Sequence, residues 1–139
     1  MAQPEGPLSG VTVLDLSTVG PAARCTRLLA DYGASVVKVG AVPGRGPAQI
    51  EPPFFAYGGC RGMRRVRIDL GDRDGLEAFL ALAGTADVVV ESFRPGVAGR
   101  LGIGYEALRS ANPGIVYCST SGYGQDGPRA GWALSLIHI

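Results

Sequence analysis

The stretch from Gly10 to Val39 constrains the fold more than any other part of the chain. It runs Gly-Val-Thr-Val-Leu-Asp-Leu-Ser-Thr-Val-Gly-Pro, then an apolar-striped segment, then Gly33-Ala-Ser-Val-Val-Lys-Val. Val11, Val13, Leu14 and Leu16 predict a buried strand ending at Asp15-Leu-Ser-Thr. Pro21 suits a first helical position, where its missing N–H would be unpaired anyway. Cys25, Leu28, Leu29 and Tyr32 recur at i, i+3, i+4 and i+7, which predicts a helix with that face inward. Gly33 suits the left-handed residue after the helix, and Val36, Val37 and Val39 form a second strand. Such a β-α-β unit pairs parallel strands and leaves a ligand crevice at their carboxyl ends. Chemistry is expected near Thr18–Pro21, just past Val39, and at the matching ends of later strands.

The rest of the chain continues the alternation. Residues 40–60 are rich in proline and glycine and read as a long loop within one domain. The run Pro52-Pro-Phe-Phe-Ala-Tyr gives that loop three aromatics with which to pack. Arg61, Arg64, Arg65 and Arg67 lead into Ile68-Asp-Leu, read as a short strand-like end. Asp72 or Asp74 can cap the next helix, and Asp74 and Glu77 have capping-box spacing. Leu76, Phe79, Leu80 and Ala83 give its inner stripe. Asp87 to Glu91 predicts a third strand, Ser92 to Arg100 a turn with one helical turn, and Tyr105 to Ala111 a short helix stopped by Asn112-Pro113. Ile115 to Thr120 predicts a fourth strand. The pattern is α/β with a mostly parallel sheet.

A chain of 139 residues can bury one ordinary core, so it is a single domain or part of one. A net charge of +1 gives no overall pull toward nucleic acid or an anionic membrane. Cys25, Cys60 and Cys118 are dispersed and odd in number, which points to reduced thiols in an intracellular, cytoplasmic protein rather than a disulfide frame or metal site. No secretory signal opens the sequence, and no run is long and apolar enough to span a bilayer.

Gly122-Tyr-Gly124-Gln-Asp-Gly127 matches the dinucleotide fingerprint and follows a strand. Pro128-Arg-Ala-Gly131 comes next rather than an apolar helix, so no helix N-terminus is expected to hold a pyrophosphate. A flexible turn is the better reading. The arginines at 61–67 fit either a solvated strand edge or a polyanion clamp, since guanidinium takes phosphate bidentately. Arg94 and Arg100 fall just after a strand end and favour a phosphate-bearing small molecule over nucleic acid. Asp15 and Glu91, near strand ends, could act on ligand, but capping or pairing with a nearby arginine fits each better. Cys25 and Cys118 read as structural thiols. His138 is next to the last residue and has no scaffold for catalysis.

Several segments taken together resemble a known family. They are Pro7-Leu-Ser-Gly-Val-Thr-Val-Leu-Asp-Leu-Ser, Leu29-Ala-Asp-Tyr-Gly-Ala-Ser-Val-Val-Lys-Val, Ala86-Asp-Val-Val-Val-Glu-Ser-Phe-Arg-Pro-Gly, Arg100-Leu-Gly-Ile-Gly-Tyr, and Asn112-Pro-Gly-Ile-Val-Tyr with Ser121-Gly-Tyr-Gly-Gln-Asp-Gly-Pro. In this order they resemble the amino-terminal part of the class III CoA-transferase superfamily (CaiB/BaiF type), and within it most closely the α-methylacyl-CoA racemases. The resemblance covers roughly residues 7–133 and is specific as a set rather than piece by piece.

It implies a Rossmann-like CoA-binding domain over residues 1–133, an acyl-CoA thioester as substrate, no covalently bound cofactor, and homodimers of longer chains. It places CoA contacts at Val19, after the second strand, at Ile68, Asp69 and Leu70 up to Gly71, at Ser92, Phe93 and Arg94, and at Arg100. The sequence departs from the family pattern in three places. Gly40 and Ala41 stand where an acidic residue and an arginine are usual, and Gly71 stands where a lysine is usual. Residues 134–139 depart altogether: Leu134-Ser135-Leu136 replaces the Gly-His-Asp expected after Ala133, and the catalytic role does not carry onto His138. The resemblance therefore implies a racemase fragment without its catalytic residues. The alternatives are a CoA-transferase working through an aspartyl thioester, or a non-catalytic nucleotide- or CoA-binding module. Full racemase chemistry removes and returns an α-proton through an enolate and needs two flanking acid/base groups, which this stretch does not supply.

Overall fold

A computed structural model of the chain describes residues 5–18, 20–44 and 59–132. The elements, in order, are β1 (Thr12–Asp15), α1 (Pro21–Asp31), β2 (Ser35–Gly40), β3 (Arg64–Arg67), α2 (Arg73–Ala83), β4 (Val88–Glu91), α3 (Val97–Arg100), α4 (Tyr105–Ala111) and β5 (Val116–Ser119). The five strands form one sheet in the order β3-β2-β1-β4-β5, and every neighbouring pair is parallel. The α/β class and the parallel sheet are as the residues predict.

The valine-rich strands are covered on both faces, which suits their near-continuous apolar runs. On one face α1 lays Ala22 and Ala30 against Val13, Val36 and Val90. On the other, Phe79 and Ala83 of α2, Ala98 of α3 and Leu108 of α4 pack with Leu14, Val37 and Val89. The crossover from β1 runs outward to β2, while the crossover from β3 returns on the opposite face to β4. The order therefore reverses between β1 and β4, and a crevice opens there at the carboxyl edge.

Helix α1 ends as expected: Gly33 has φ of 100°, and its N–H donates to the Ala30 carbonyl at 3.0 Å. The face it buries is different from the expected one. Ala22, Thr26 and Ala30 are buried, whereas Leu28 and Tyr32 are 52% and 57% exposed. Small residues let the helix lie close to the sheet, and a hydrogen bond from Thr26 to buried Asp15 fixes which face turns inward.

Two further expectations are corrected. The strand expected at Ile68–Leu70 lies instead in the arginine run itself, with Arg64 to Arg67 paired against Val37 to Gly40. This makes β3 a solvated edge strand of the sheet, with three exposed arginines. The Asp74–Glu77 capping box does not form. Asp72 occupies the N-cap without a side-chain cap bond, so Asp74 lies inside the first turn, where its charge still complements the helix dipole. Glu77 pairs with Arg73 at 3.0 Å. The aromatic run 52–57 and His138 lie outside the described residues.

Candidate binding site at the carboxyl edge

The last residue of β1 begins the site. Asp15 is fully buried and accepts four hydrogen bonds. Its Oδ1 takes the Ser17 N–H at 2.8 Å and the Ser17 hydroxyl at 2.5 Å. Its Oδ2 takes the Thr26 hydroxyl at 2.6 Å and Lys38 Nζ at 2.8 Å. Lys38 also donates to Ser17 Oγ at 3.2 Å. The partner is thus a lysine rather than an arginine. The signal for it was legible, because a lysine inside Val-Val-Lys-Val must find a buried acceptor. The effect is to fix the turn that leaves β1 toward Gly20 and Pro21.

The last residue of β4 carries the second half. Glu91 is buried, and its Oε2 accepts the Phe93 N–H at 2.6 Å, while its Oε1 accepts the Tyr117 hydroxyl at 3.2 Å. Its backbone carbonyl takes both the N–H and the hydroxyl of Thr120, at 3.0 and 3.2 Å. Burial, then the negative charge of Glu91 and the hydrogen bond to it, push the Tyr117 phenol well above its ordinary range, so it stays a donor. Among the described residues neither carboxylate pairs with an arginine.

Arg94 and Arg100 are both exposed beside this turn. The Arg100 guanidinium folds back over Gly96, with Nη1 3.4 Å from where a Cβ on that glycine would stand. Ser92 is exposed, Phe93 is half-buried against the core, and Ile68 and Leu70 pack on that same apolar cluster beyond β3. Asp69 folds onto its own turn, accepting the Gly71 N–H at 3.0 Å. All these residues follow strands on one edge, although β3 and β4 are separated by two strands. Val19 lies outside the described residues.

Two of the four arginines at 61–67 turn away from the crevice. Arg61 lies 3.6 Å from Asp31 at the end of α1, and Arg64 donates to Ser35 Oγ at 2.8 Å at the start of β2. Both therefore sit at the amino edge, away from the crevice. The Arg27 hydrogen bond holds the exposed Asp31 carboxyl below its usual range, so this edge is an ion-paired surface. The glycine-rich run after β5 forms turns up to Trp132, with Gly124 and Gly127 at positive φ and no helix within residues 128–132, as expected.

One feature at the edge escaped sequence reasoning: Ser121 Oγ, just past β5, is buried with no hydrogen-bond partner among the described residues. All three cysteines are free thiols, and the described residues hold no group of three metal-ligating side chains. No described helix is long and apolar enough to cross a membrane.

A sequence profile for CoA-transferase family III matches residues 8–134. The chain is 44% identical to a succinyl-CoA:mesaconate CoA-transferase of Haloarcula hispanica, covering 91% of this chain and 34% of that protein. It is 40% identical to a probable fatty acyl-CoA transferase of Mycobacterium tuberculosis, again over 91% of this chain and 34% of that one. A crystal structure of a CaiB/BaiF family protein from Brucella suis superposes with a TM-score of 0.82 at 33% identity, covering 94% of this chain and 37% of that one. The chain spans about a third of the length of the curated relatives it matches.

Proposed function

This chain belongs to CoA-transferase family III, and from that premise we propose that it forms the CoA-holding front of an enzyme that moves CoA between carboxylic acids. The observation that carries the reading is the crevice between β1 and β4, whose two flanking turns are each fixed by a buried carboxylate and beside which Arg94 and Arg100 stand exposed. Guanidinium groups suit the phosphates of CoA, because they form charge-assisted, bidentate hydrogen bonds. The proposed contacts are Val19, Ile68, Asp69, Leu70, Ser92, Phe93, Arg94 and Arg100. Homodimeric assembly, and residues 1–133 as the amino-terminal part of a CoA-binding domain, belong to the same reading.

Transfer of CoA needs a carboxylate that attacks the thioester carbonyl and releases the thiolate. Asp15 and Glu91 are unsuited to this, because each is buried and already accepts hydrogen bonds from the turn that follows it. On this reading the chain binds and orients CoA, and the aspartate nucleophile that the family resemblance implies is sought outside residues 1–139. The motifs alone read as closest to racemases, but the two relatives compared above carry transferase names, which favours transfer over proton exchange.

Calorimetric titration of the chain with CoA tests the binding half. Each of Arg94→Ala and Arg100→Ala is expected to weaken binding by about ten- to a hundredfold, the worth of one charge-assisted hydrogen bond. Absence of binding by the unmodified chain would overturn the reading. The reaction is tested on the full-length gene product with an acyl-CoA and a free carboxylic acid: a new thioester of the acid is expected. Deuterium incorporation from heavy water at C2 of a 2-methylacyl-CoA, without transfer, would restore the racemase.

A further inference from the structure

The geometry points to Glu91 as a positioning residue: its buried carboxylate, braced by the Tyr117 hydroxyl, sets the Ser92–Phe93–Arg94 turn so that Arg94 is presented to the crevice. This rests on the binding site just proposed. Glu91 is 3% exposed and is the last residue of β4. Its Oε2 reaches forward to the amide of Phe93, two residues on, while its Oε1 is held from β5 by Tyr117. One carboxylate thus ties the outgoing turn to the neighbouring strand. Thr120 repeats the tie through the Glu91 carbonyl.

The same device stands on the other side of the crevice. Asp15 ends β1, accepts the amide of Ser17 two residues on, and is braced from β2 by Lys38. The strands pair with Asp15 opposite Val90, and the Leu16 N–H donates to the Val90 carbonyl at 2.9 Å. The two carboxylates therefore leave the sheet one step apart at the point where its order reverses. Asp15 faces α1, while Glu91 lies on the α2–α4 face. A burial of acids at two adjacent strand ends, each spent on the next turn's backbone, is what preorganisation of a crevice requires: the turns are ordered before a ligand arrives, so binding does not have to order them.

The first test needs no ligand. Amide hydrogen exchange is followed in the unmodified chain, in Glu91→Gln and in Tyr117→Phe. The Phe93 amide should be protected in the parent. In Glu91→Gln it should exchange about tenfold faster, because a neutral amide oxygen accepts the Phe93 N–H less strongly than the carboxylate it replaces, while the strand amides of β1 and β4 keep their protection. In Tyr117→Phe the acceleration should be smaller, since the carboxylate remains but loses its brace. Unchanged exchange at Phe93, or a uniform loss of protection across the sheet in both variants, would overturn the assignment.

The second test separates positioning from general destabilisation. CoA affinity is measured for the parent, Glu91→Gln, Arg94→Ala and the double variant. If Glu91 acts through the turn that presents Arg94, its substitution weakens CoA about tenfold in the parent and much less on the Arg94→Ala background. Additive losses would overturn the proposal. If the parent fails to bind CoA, the binding reading falls, and the exchange experiment still decides whether Glu91 sets the turn.

Discussion

Lys38 Nζ lies 2.8 Å from Asp15 Oδ2, and the two residues are register partners on adjacent parallel strands. Asp15 is fully buried and Lys38 is 7% exposed. Lys38→Met should therefore leave a buried carboxylate without its cation and cost about 3–5 kcal/mol in chemical denaturation. The paired change Asp15→Leu with Lys38→Met removes both charges and should restore most of that loss, although Ser17 and Thr26 lose an acceptor. A single Lys38→Met variant as stable as the parent would show that the pair contributes nothing to folding.

Gly75 should resist the substitution that usually helps a helix. It lies in the first turn of α2, where a Cβ would meet the Asp69 carbonyl oxygen at 2.0 Å. Replacing an interior helical glycine by alanine ordinarily gains up to about 1 kcal/mol. Here the clash should reverse the sign and destabilise by about 1–3 kcal/mol, as overpacking does. Gly99→Ala, in α3, meets nothing within 4 Å and serves as the control. A stabilised Gly75→Ala would mean that α2 can shift away from the β3 exit turn at no cost.

Tyr117 should make stability fall in alkali. Its phenol is held above its ordinary pKa of about 10 by burial and by Glu91. In the unfolded chain it ionises near that ordinary value, so between there and the folded value the native state holds more protons. The stabilisation is thus fully present below about pH 10 and is lost as pH rises through the folded value. Melting temperatures above pH 10 should drop less steeply for Tyr117→Phe than for the parent. In a spectrophotometric titration, the phenol missing from Tyr117→Phe should account for absorbance that develops above the ordinary tyrosine range.

The sheet was legible in the sequence because parallel strands buried on both faces are written as valine runs bounded by charge. Three features were not. The face of α1 was misread because large apolar residues usually mark the buried stripe, whereas this helix buries Ala22, Thr26 and Ala30 and leaves Leu28 and Tyr32 outside. The strand at Arg64–Arg67 was misplaced because its outward side chains belong to a sheet edge and carry no apolar alternation. The crevice carboxylates were found by position, at Asp15 and Glu91, but their partners Lys38, Thr26 and Tyr117 are 11 to 26 residues away along the chain. Such pairings follow from strand register, which no local spacing records.

Cys25 should be a slow thiol. It sits on α1, partly buried, and its pKa is raised first by burial and then by the nearby Cys118 and the buried charge of Asp15. Only the thiolate reacts, so at pH 8 it should be modified by a disulfide reagent more slowly than a free cysteine, whose pKa is about 8.5. Cys60 is buried, so fast labelling is expected at neither Cys25 nor Cys60 in the native chain. The assay also reports on the crevice. Asp15→Asn removes one of the charges that oppose ionisation of Cys25 and should speed its labelling, provided that the melting curve shows α1 still docked. Rapid, stoichiometric modification of Cys25 in the parent would instead mean that α1 does not stay seated over Val13, Val36 and Val90.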